Sequence, residues 1–154
     1  KLKKHDFHIV GSRSGHTLKC FDSLGRLRWS VKAGFKGVYG PGEAVIGGDT
    51  PLGDYRLGAH WQQSPGTSLY DTYGPHFFDL VSLDGQEYRY DRAGIGLHGG
   101  RDKSPGRPPA SWVSLAATLG CVRVDDDDLE VHIAPSVLYI WNVLKGEVYL
   151  SVEA

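Results

Sequence analysis

Apolar residues along this chain alternate with polar ones or form runs of about five residues, and turn residues separate these segments. The sequence contains 21 glycines and 8 prolines in 154 residues, and few windows repeat at the helical period. Short alternating segments between turn residues are typical of strands. The pattern therefore predicts a mainly β domain, and no internal repeat or second domain interrupts it over residues 1–154.

The first strands are predicted to form a meander, because alternating segments follow one another across short turns. Pro51 fixes φ and Gly53 permits a positive φ, so a tight turn is expected to lead into the strand that follows them. The predicted strands cover residues 7–10, 16–22, 26–33, 55–57, 76–80, 88–90, 95–98, 121–124 and 147–152.

One or two short helices are predicted near the C-terminus, over residues 129–132 and 135–144, and one helical turn over 111–117. The acidic run Asp125–Asp128 is interpreted as a helix N-terminus whose carboxylates cap free amides. Calcium binding is the alternative for this run, but no EF-hand spacing accompanies it.

The charge balance narrows the function classes. The net charge is −1 with mixed signs throughout, which gives no electrostatic basis for binding nucleic acid. No apolar run has the length needed to span a membrane, so membrane insertion is not expected. The sequence also lacks CxxC and HExxH spacings, and we expect no metal site.

Only two cysteines occur, too few for a disulfide framework in a domain of this size. Cys20 lies in an alternating apolar segment and is expected to be buried in the core. A disulfide between Cys20 and Cys121 stays open, although it would consume the candidate nucleophile described next.

Cys121 and His98 are the candidate catalytic pair. Each stands beside glycines at the end of a short apolar strand, and a thiol nucleophile and its base meet in space rather than in sequence. A nearby histidine and the cation of Arg123 would both lower the pKa of the thiol. Backbone amides around Gly120 and Cys121 would hold a developing oxyanion.

His76 and His60 are alternative bases. His76 follows a Gly-Pro pair at the start of a predicted strand. Its imidazole faces either the cleft, where it would contact substrate, or solvent, and the alternation does not decide between them.

Four ordered motifs make the chain resemble the L,D-transpeptidase catalytic domain of the YkuD type. They are Thr-Pro-Leu-Gly-Asp-Tyr at 50–55, Gly-Pro-His-Phe-Phe at 74–78, Leu-His-Gly at 97–99 and Thr-Leu-Gly-Cys-Val-Arg at 118–123. The resemblance covers roughly residues 18–154 and implies a twisted β-sandwich with the cysteine in a cleft beneath a capping loop.

The resemblance also implies a reaction. Cys121 would attack the carbonyl between the third residue of a peptidoglycan stem tetrapeptide and its terminal D-alanine, and form a thioester. His98 would take the thiol proton and later activate an acceptor amine or water. Gly120 and Arg123 would support the oxyanion or a substrate carboxylate, and no cofactor is implied. The expected substrate contacts are Thr118, Gly99, Leu119, His76 and Arg101.

Further expectations concern the cellular compartment, the basic insert and the partners of the protein. Action on stem peptides, of either the diaminopimelate or the lysine type, implies the periplasm or cell envelope. The basic insert that contains Arg101 either contacts an anionic glycan-peptide or is a solvated loop. An antibacterial effector that trims stem peptides is another candidate, and it would have an immunity or delivery protein as partner.

Leu119 is a departure from the resemblance, because the family usually has histidine before Gly-Cys. We expect activity to survive, since in the family that this chain resembles the position orders the loop largely through its backbone. A catalytically weak peptidoglycan-binding module is the alternative that Leu119 favours, and a cysteine hydrolase of another amide substrate is a third.

Overall fold

The computed structural model describes residues 2–35, 50, 52–84, 95–100 and 121–154 of the chain. Within these ranges eight strands form one sheet. They are β1 (Phe7–Ser12), β2 (Thr17–Phe21), β3 (Leu27–Phe35), β4 (Gly53–Gln62), β5 (His76–Ser82), β6 (Gly96–His98), β7 (Val122–Val124) and β8 (Val148–Glu153).

The sheet closes on itself in the order β1-β2-β3-β7-β6-β5-β4-β8. The neighbours β1 and β8 run parallel, as do β6 and β7, and the remaining pairs are antiparallel. Alternate side chains point inward and form the core. These include Ile9, Leu18, Val31, Tyr55, Leu57, Phe78, Leu97, Val122 and Leu150.

A helical segment follows β7 and packs its apolar side on this core. It consists of α2 (Asp126–Asp128), α3 (Ala134–Tyr139) and two π-helical turns, Leu129–Ile133 and Ile140–Leu144. Its residues Leu129, Ile133, Val137 and Ile140 are buried at the helical spacing. Lys145 takes a left-handed conformation with φ of 58° and ends the segment before β8.

The mainly β architecture with short helices near the C-terminus is therefore confirmed, and the closed sheet is broadly consistent with the predicted sandwich. The predicted strand at 88–90 and the helical turn at 111–117 lie outside the described residues. No helix in the described ranges is long and apolar enough to cross a membrane.

The sequence pattern did not predict the short helix α1 (Ser68–Tyr73) before β5. The Oγ1 of Thr67 accepts from the Tyr70 amide at 3.2 Å at its start, and the Gly74 amide donates to the Tyr70 carbonyl at its end. No residue of α1 is buried, so it carries no apolar stripe from which to predict it.

One local expectation needs correction, and one open alternative is decided. Asp125 precedes α2 but makes no capping bond with its side chain, and the predicted carboxylate capping is not seen there. Cys20 and Cys121 are both free thiols, so no disulfide joins them. Cys20 is buried as predicted, and burial raises its pKa to about 12.

Candidate active site

The pairing of β5, β6 and β7 brings the two candidate catalytic residues to one part of the sheet. Phe77 pairs with His98, and His98 pairs with Arg123. Because side chains alternate along a strand, these three share the face opposite Phe78, Leu97 and Val122. Cys121 directly precedes β7, and its Sγ lies beside the backbone amide of Gly96 in β6. The pairing of β6 with β7 thus brings the thiol next to β6, the strand that ends at His98.

The thiol of Cys121 is buried, with 8% of the residue exposed. Its Sγ accepts a hydrogen bond from the Gly96 amide at 3.3 Å. Burial raises the pKa of the thiol above its ordinary value, although the Gly96 hydrogen bond and the charge of Arg123 act in the opposite direction. We expected a thiolate stabilised by Arg123; in this structure desolvation outweighs that charge, and the resting group is a neutral thiol.

His98 is also neutral at physiological pH. It is 1% exposed, and burial lowers its pKa to about 4, with the Arg123 charge acting in the same direction and the Gly99 hydrogen bond opposing it. Its Nδ1 lies 2.5 Å from the Gly99 carbonyl oxygen. A carbonyl only accepts, so Nδ1 carries the proton and Nε2 has the free lone pair. This is the tautomer that a general base needs.

Two aromatic rings hold the imidazole in place. Phe77 stacks on His98 with ring centroids 5.6 Å apart, and Tyr73 meets it edge-on at 5.1 Å. Gly96 makes room for this arrangement, because a Cβ there would lie 2.2 Å from the Phe77 ring. The glycine of β6 therefore serves both the stack and the hydrogen bond to the thiol.

A tight junction fixes the backbone that follows His98. The Gly99 amide donates to the Tyr73 carbonyl at 2.8 Å, and the Gly100 amide donates to Oδ1 of Asp126 at 2.8 Å. A Cβ on Gly99 would lie 2.1 Å from that carboxylate oxygen. Gly100 has φ of 118°, which strongly favours glycine. The Gly-Gly pair thus lets α2 approach the site closely.

Asp126 is a site residue that sequence reasoning missed. The acidic run predicts only a helix start, whereas the carboxylate of Asp126 is buried against the turn after His98. The two glycines after His98 were a signal of close approach, but the sequence did not indicate what approaches them.

Arg123 is buried beside the pair. Its Nε donates to the Gly99 carbonyl at 3.5 Å, so this carbonyl accepts from both Arg123 and His98. The guanidinium of Arg123 therefore shares the Gly99 carbonyl with the imidazole of His98. Its support of an oxyanion or a substrate carboxylate stays a prediction.

The structure separates His76 from this group. His76 neighbours Phe77 on β5 and consequently points to the opposite face. Its Nε2 lies 2.9 Å from Glu130 and its Nδ1 lies 2.8 Å from Nε2 of His60. His60 and His76, the alternative bases, therefore bond to each other on the far face from His98.

The remaining predicted site residues Thr118, Leu119, Gly120 and Arg101 lie outside the described residues. In the part of the chain that is described, no group of three or more His, Cys, Asp or Glu side chains is arranged to hold a metal ion.

The described strands form one closed sheet that carries a buried cysteine and a buried histidine beside β6 and β7. The family model for the L,D-transpeptidase catalytic domain (YkuD) matches residues 7–132. The chain belongs to this family. No curated protein sequence matches it significantly.

Solved structures support the same fold. Bd1075 of Bdellovibrio bacteriovorus superposes with a TM-score of 0.59 at 19% identity, over 99% of this chain and 48% of that one. The helical cell shape determining protein Pgp2 of Campylobacter jejuni gives 0.59 at 20% identity, over 96% and 47%. An L,D-transpeptidase of Stackebrandtia nassauensis gives 0.55 at 14% identity, over 100% and 58%. The chain thus spans about half the length of these proteins.

Proposed function

We propose that this domain is a cysteine-dependent peptidoglycan L,D-transpeptidase or L,D-carboxypeptidase that acts in the periplasm or cell envelope. It cleaves the stem tetrapeptide between its third residue and the terminal D-alanine through a thioester on Cys121. The observation that supports the proposal is the contact of the Cys121 thiol with the Gly96 amide of β6, the strand that ends at His98, together with the commitment of the Nδ1 proton of His98 to Gly99. Family membership supports the reaction class.

In the first half-reaction a neutral thiol meets a neutral imidazole. Nε2 of His98 takes the proton of Cys121 as Sγ attacks the carbonyl carbon of the third stem residue, and negative charge develops on the carbonyl oxygen. Backbone amides around Gly120 and Cys121 stabilise that oxygen. The C–N bond then breaks, the D-alanine nitrogen takes the proton from His98, and the thioester remains.

In the second half-reaction His98 takes a proton from the acceptor. An amine of a neighbouring stem attacks the thioester carbonyl to form a cross-link, or water attacks it to give the tripeptide. The proton returns through His98 to the Cys121 sulfur as the C–S bond breaks, and the free thiol is restored. The same residues thus serve transpeptidation and hydrolysis.

The test is mass spectrometry of the products formed from purified disaccharide tetrapeptide. We expect D-alanine release by the wild-type protein and by Cys20→Ala, since Cys20 belongs to the core. Cys121→Ala should release none. Cross-linked dimers would indicate a transpeptidase, and tripeptide without dimers a carboxypeptidase. D-alanine release that survives in Cys121→Ala would contradict the thioester mechanism.

A second candidate is a catalytically weak peptidoglycan-binding module. The specific observation in its favour is the burial of Cys121, which raises the pKa of the thiol and keeps the nucleophile protonated. This candidate predicts that the protein binds muropeptides without product formation and that Cys121 alkylates slowly at neutral pH.

An antibacterial effector that trims stem peptides would instead give tripeptide without dimers. The cell that produces such an effector would need an immunity protein as its partner.

A further inference from the structure

A carboxylate lies near the candidate nucleophile. Asp79 pairs with Gly96 across β5 and β6, and the Gly96 amide donates to Sγ of Cys121. Asp79 is two positions along β5 from Phe77, so its side chain shares the face of Phe77 and of His98, the β6 partner of Phe77. Asp79, Gly96 and Cys121 therefore form a row from β5 across β6 to the residue that precedes β7.

Asp79 is half-buried and has no hydrogen-bond or ion-pair partner among residues 2–35, 50, 52–84, 95–100 and 121–154. A Cβ placed on Gly58 of β4 would lie 3.6 Å from its Oδ2, and Gly96 is its neighbour on β6. Glycines flank the carboxylate on both strands, so neither neighbour supplies a side chain to neutralise it. With no counterion among the described residues, this half-buried carboxylate is suited to a cationic ligand.

The charge of Asp79 acts electrostatically on the candidate nucleophile Cys121. It acts to raise the pKa of the Cys121 thiol, in opposition to Arg123. Any substrate group that binds Asp79 is therefore close to the reacting carbonyl. The ring of Phe77 covers Gly96 between them and provides an apolar surface.

The spacing matches one part of a stem peptide. Strands lie about 4.8 Å apart, so the Cα atoms of Asp79 and Cys121, two strands apart, are separated by roughly 10 Å. A lysine-like side chain spans about 7 Å from its own carbonyl carbon to its terminal nitrogen, from ordinary bond lengths. The third stem residue carries the carbonyl that Cys121 attacks. In lysine stems its side chain ends in an ammonium group, and in diaminopimelate stems it ends in a carbon that bears both an ammonium and a carboxylate.

We propose that Asp79 is a specificity-determining residue that binds the side-chain ammonium of the third residue of the donor stem, while the methylene groups of that side chain pack on Phe77. The proposal rests on the proposed function for the placement of the carbonyl at Cys121. It favours the donor over the acceptor, because the acceptor amine has to lose its proton beside the thioester whereas the ammonium of the donor's third residue stays charged.

The test measures equilibrium binding in a Cys121→Ala background, where turnover is blocked. Isothermal titration calorimetry compares two synthetic tetrapeptides that carry lysine or Nε-acetyl-lysine at the third stem position. We expect Cys121→Ala to bind the lysine peptide about tenfold more tightly, as for a charged hydrogen bond in a partly buried site. Adding Asp79→Asn should abolish this preference and leave the affinity for the acetylated peptide unchanged.

Two control variants separate the role of Asp79 from general effects. Asp127→Asn removes the same charge from an exposed position of α2 and should keep the preference. Asp79→Glu retains the carboxylate and should show most of the preference for the lysine peptide. The preference should also shrink as salt rises, because an ammonium–carboxylate pair at a half-exposed site is screened.

A preference that survives Asp79→Asn, or equal binding of the two peptides by Cys121→Ala, would overturn the proposal. D-alanine release by the wild-type protein is scored separately on the lysine peptide. Release without a binding preference refutes the role of Asp79 alone. A preference without release supports Asp79 as a ligand for the third stem residue and refutes the proposed enzyme activity.

Discussion

Phe77 stacks on the imidazole of His98 with an interplanar angle of 13°. The stack crosses the β5–β6 pairing, in which the two residues are direct partners. A close aromatic partner limits the rotation of the imidazole, and the Gly99 carbonyl fixes which nitrogen carries the proton. The orientation and the tautomer of the His98 imidazole are thus set by two different neighbours.

Gly96 is the residue that permits the stack, and Gly96→Ala tests it. The new methyl group would lie 2.2 Å from the Phe77 ring, so the ring has to leave its position over β6. We expect D-alanine release to fall at least tenfold and the free energy of unfolding to fall by about 1–3 kcal/mol. Product assays and urea denaturation measure these effects.

The double variant Gly96→Ala/Phe77→Ala is the matched control, because it removes the ring that the methyl group would strike. It should recover part of the packing while it still lacks the stack on His98. Unchanged D-alanine release in Gly96→Ala would show that the orientation of His98 does not depend on Phe77.

Asp126 is expected to position the turn that carries His98. Asp126→Ala leaves the buried Gly100 amide without its acceptor, which costs about 1–3 kcal/mol of stability. Asp126→Asn keeps an oxygen acceptor and should retain most of the stability and activity. For the folded fraction, Asp126→Ala should lower kcat more than it raises KM, since the base is misplaced rather than the substrate site.

Asp127→Ala provides the control for Asp126, because it removes an exposed carboxylate from the same short helix. It should change neither stability nor kinetics by more than a small amount. If Asp126→Ala and Asp127→Ala behave alike, Asp126 has no positioning role.

Much of this arrangement could be predicted from the sequence, and the reasons differ between parts. The strands that end at His98 and begin after Cys121 could be predicted, because alternation and flanking glycines are local signals, and the catalytic roles of the two residues stay predictions. The place of Asp126 could not be predicted, because its contact with Gly100 depends on how the C-terminal helical segment packs on the sheet. The sequence also did not predict the neutral state of the Cys121 thiol, since burial depends on the folded structure and not on the residues adjacent in sequence.

The low pKa of His98 predicts how stability depends on pH. Burial lowers it to about 4 in the folded protein, against about 6.5 when unfolded, so the unfolded chain binds more protons between these values. The contribution of the neutral His98 to the free energy of unfolding is fully present above about pH 6.5. About 3 kcal/mol of the free energy of unfolding is lost as the pH falls toward 4. Thermal unfolding from pH 7 to pH 4 measures the loss.

His98→Gln is the comparison for this pH effect, because glutamine does not titrate. The difference in melting temperature between wild type and variant should shift in favour of the variant as the pH falls through this range. The burial of His60 lowers its pKa as well, and that group is present in both proteins and cancels in the comparison. Parallel curves for the two proteins would contradict a buried neutral His98.

His76 tests whether the opposite face of β5 contributes to catalysis. The sequence suggested a substrate contact, whereas the imidazole is buried and bonds to Glu130 and His60 on the face away from His98. His76→Ala should therefore lower the free energy of unfolding by about 1–3 kcal/mol, because His60 and Glu130 lose a partner and a buried volume is left empty. KM for the tetrapeptide and kcat of the folded fraction should stay at wild-type values. Denaturant titration and steady-state kinetics on the same preparation separate the two effects, and a raised KM at unchanged stability would return His76 to the substrate site.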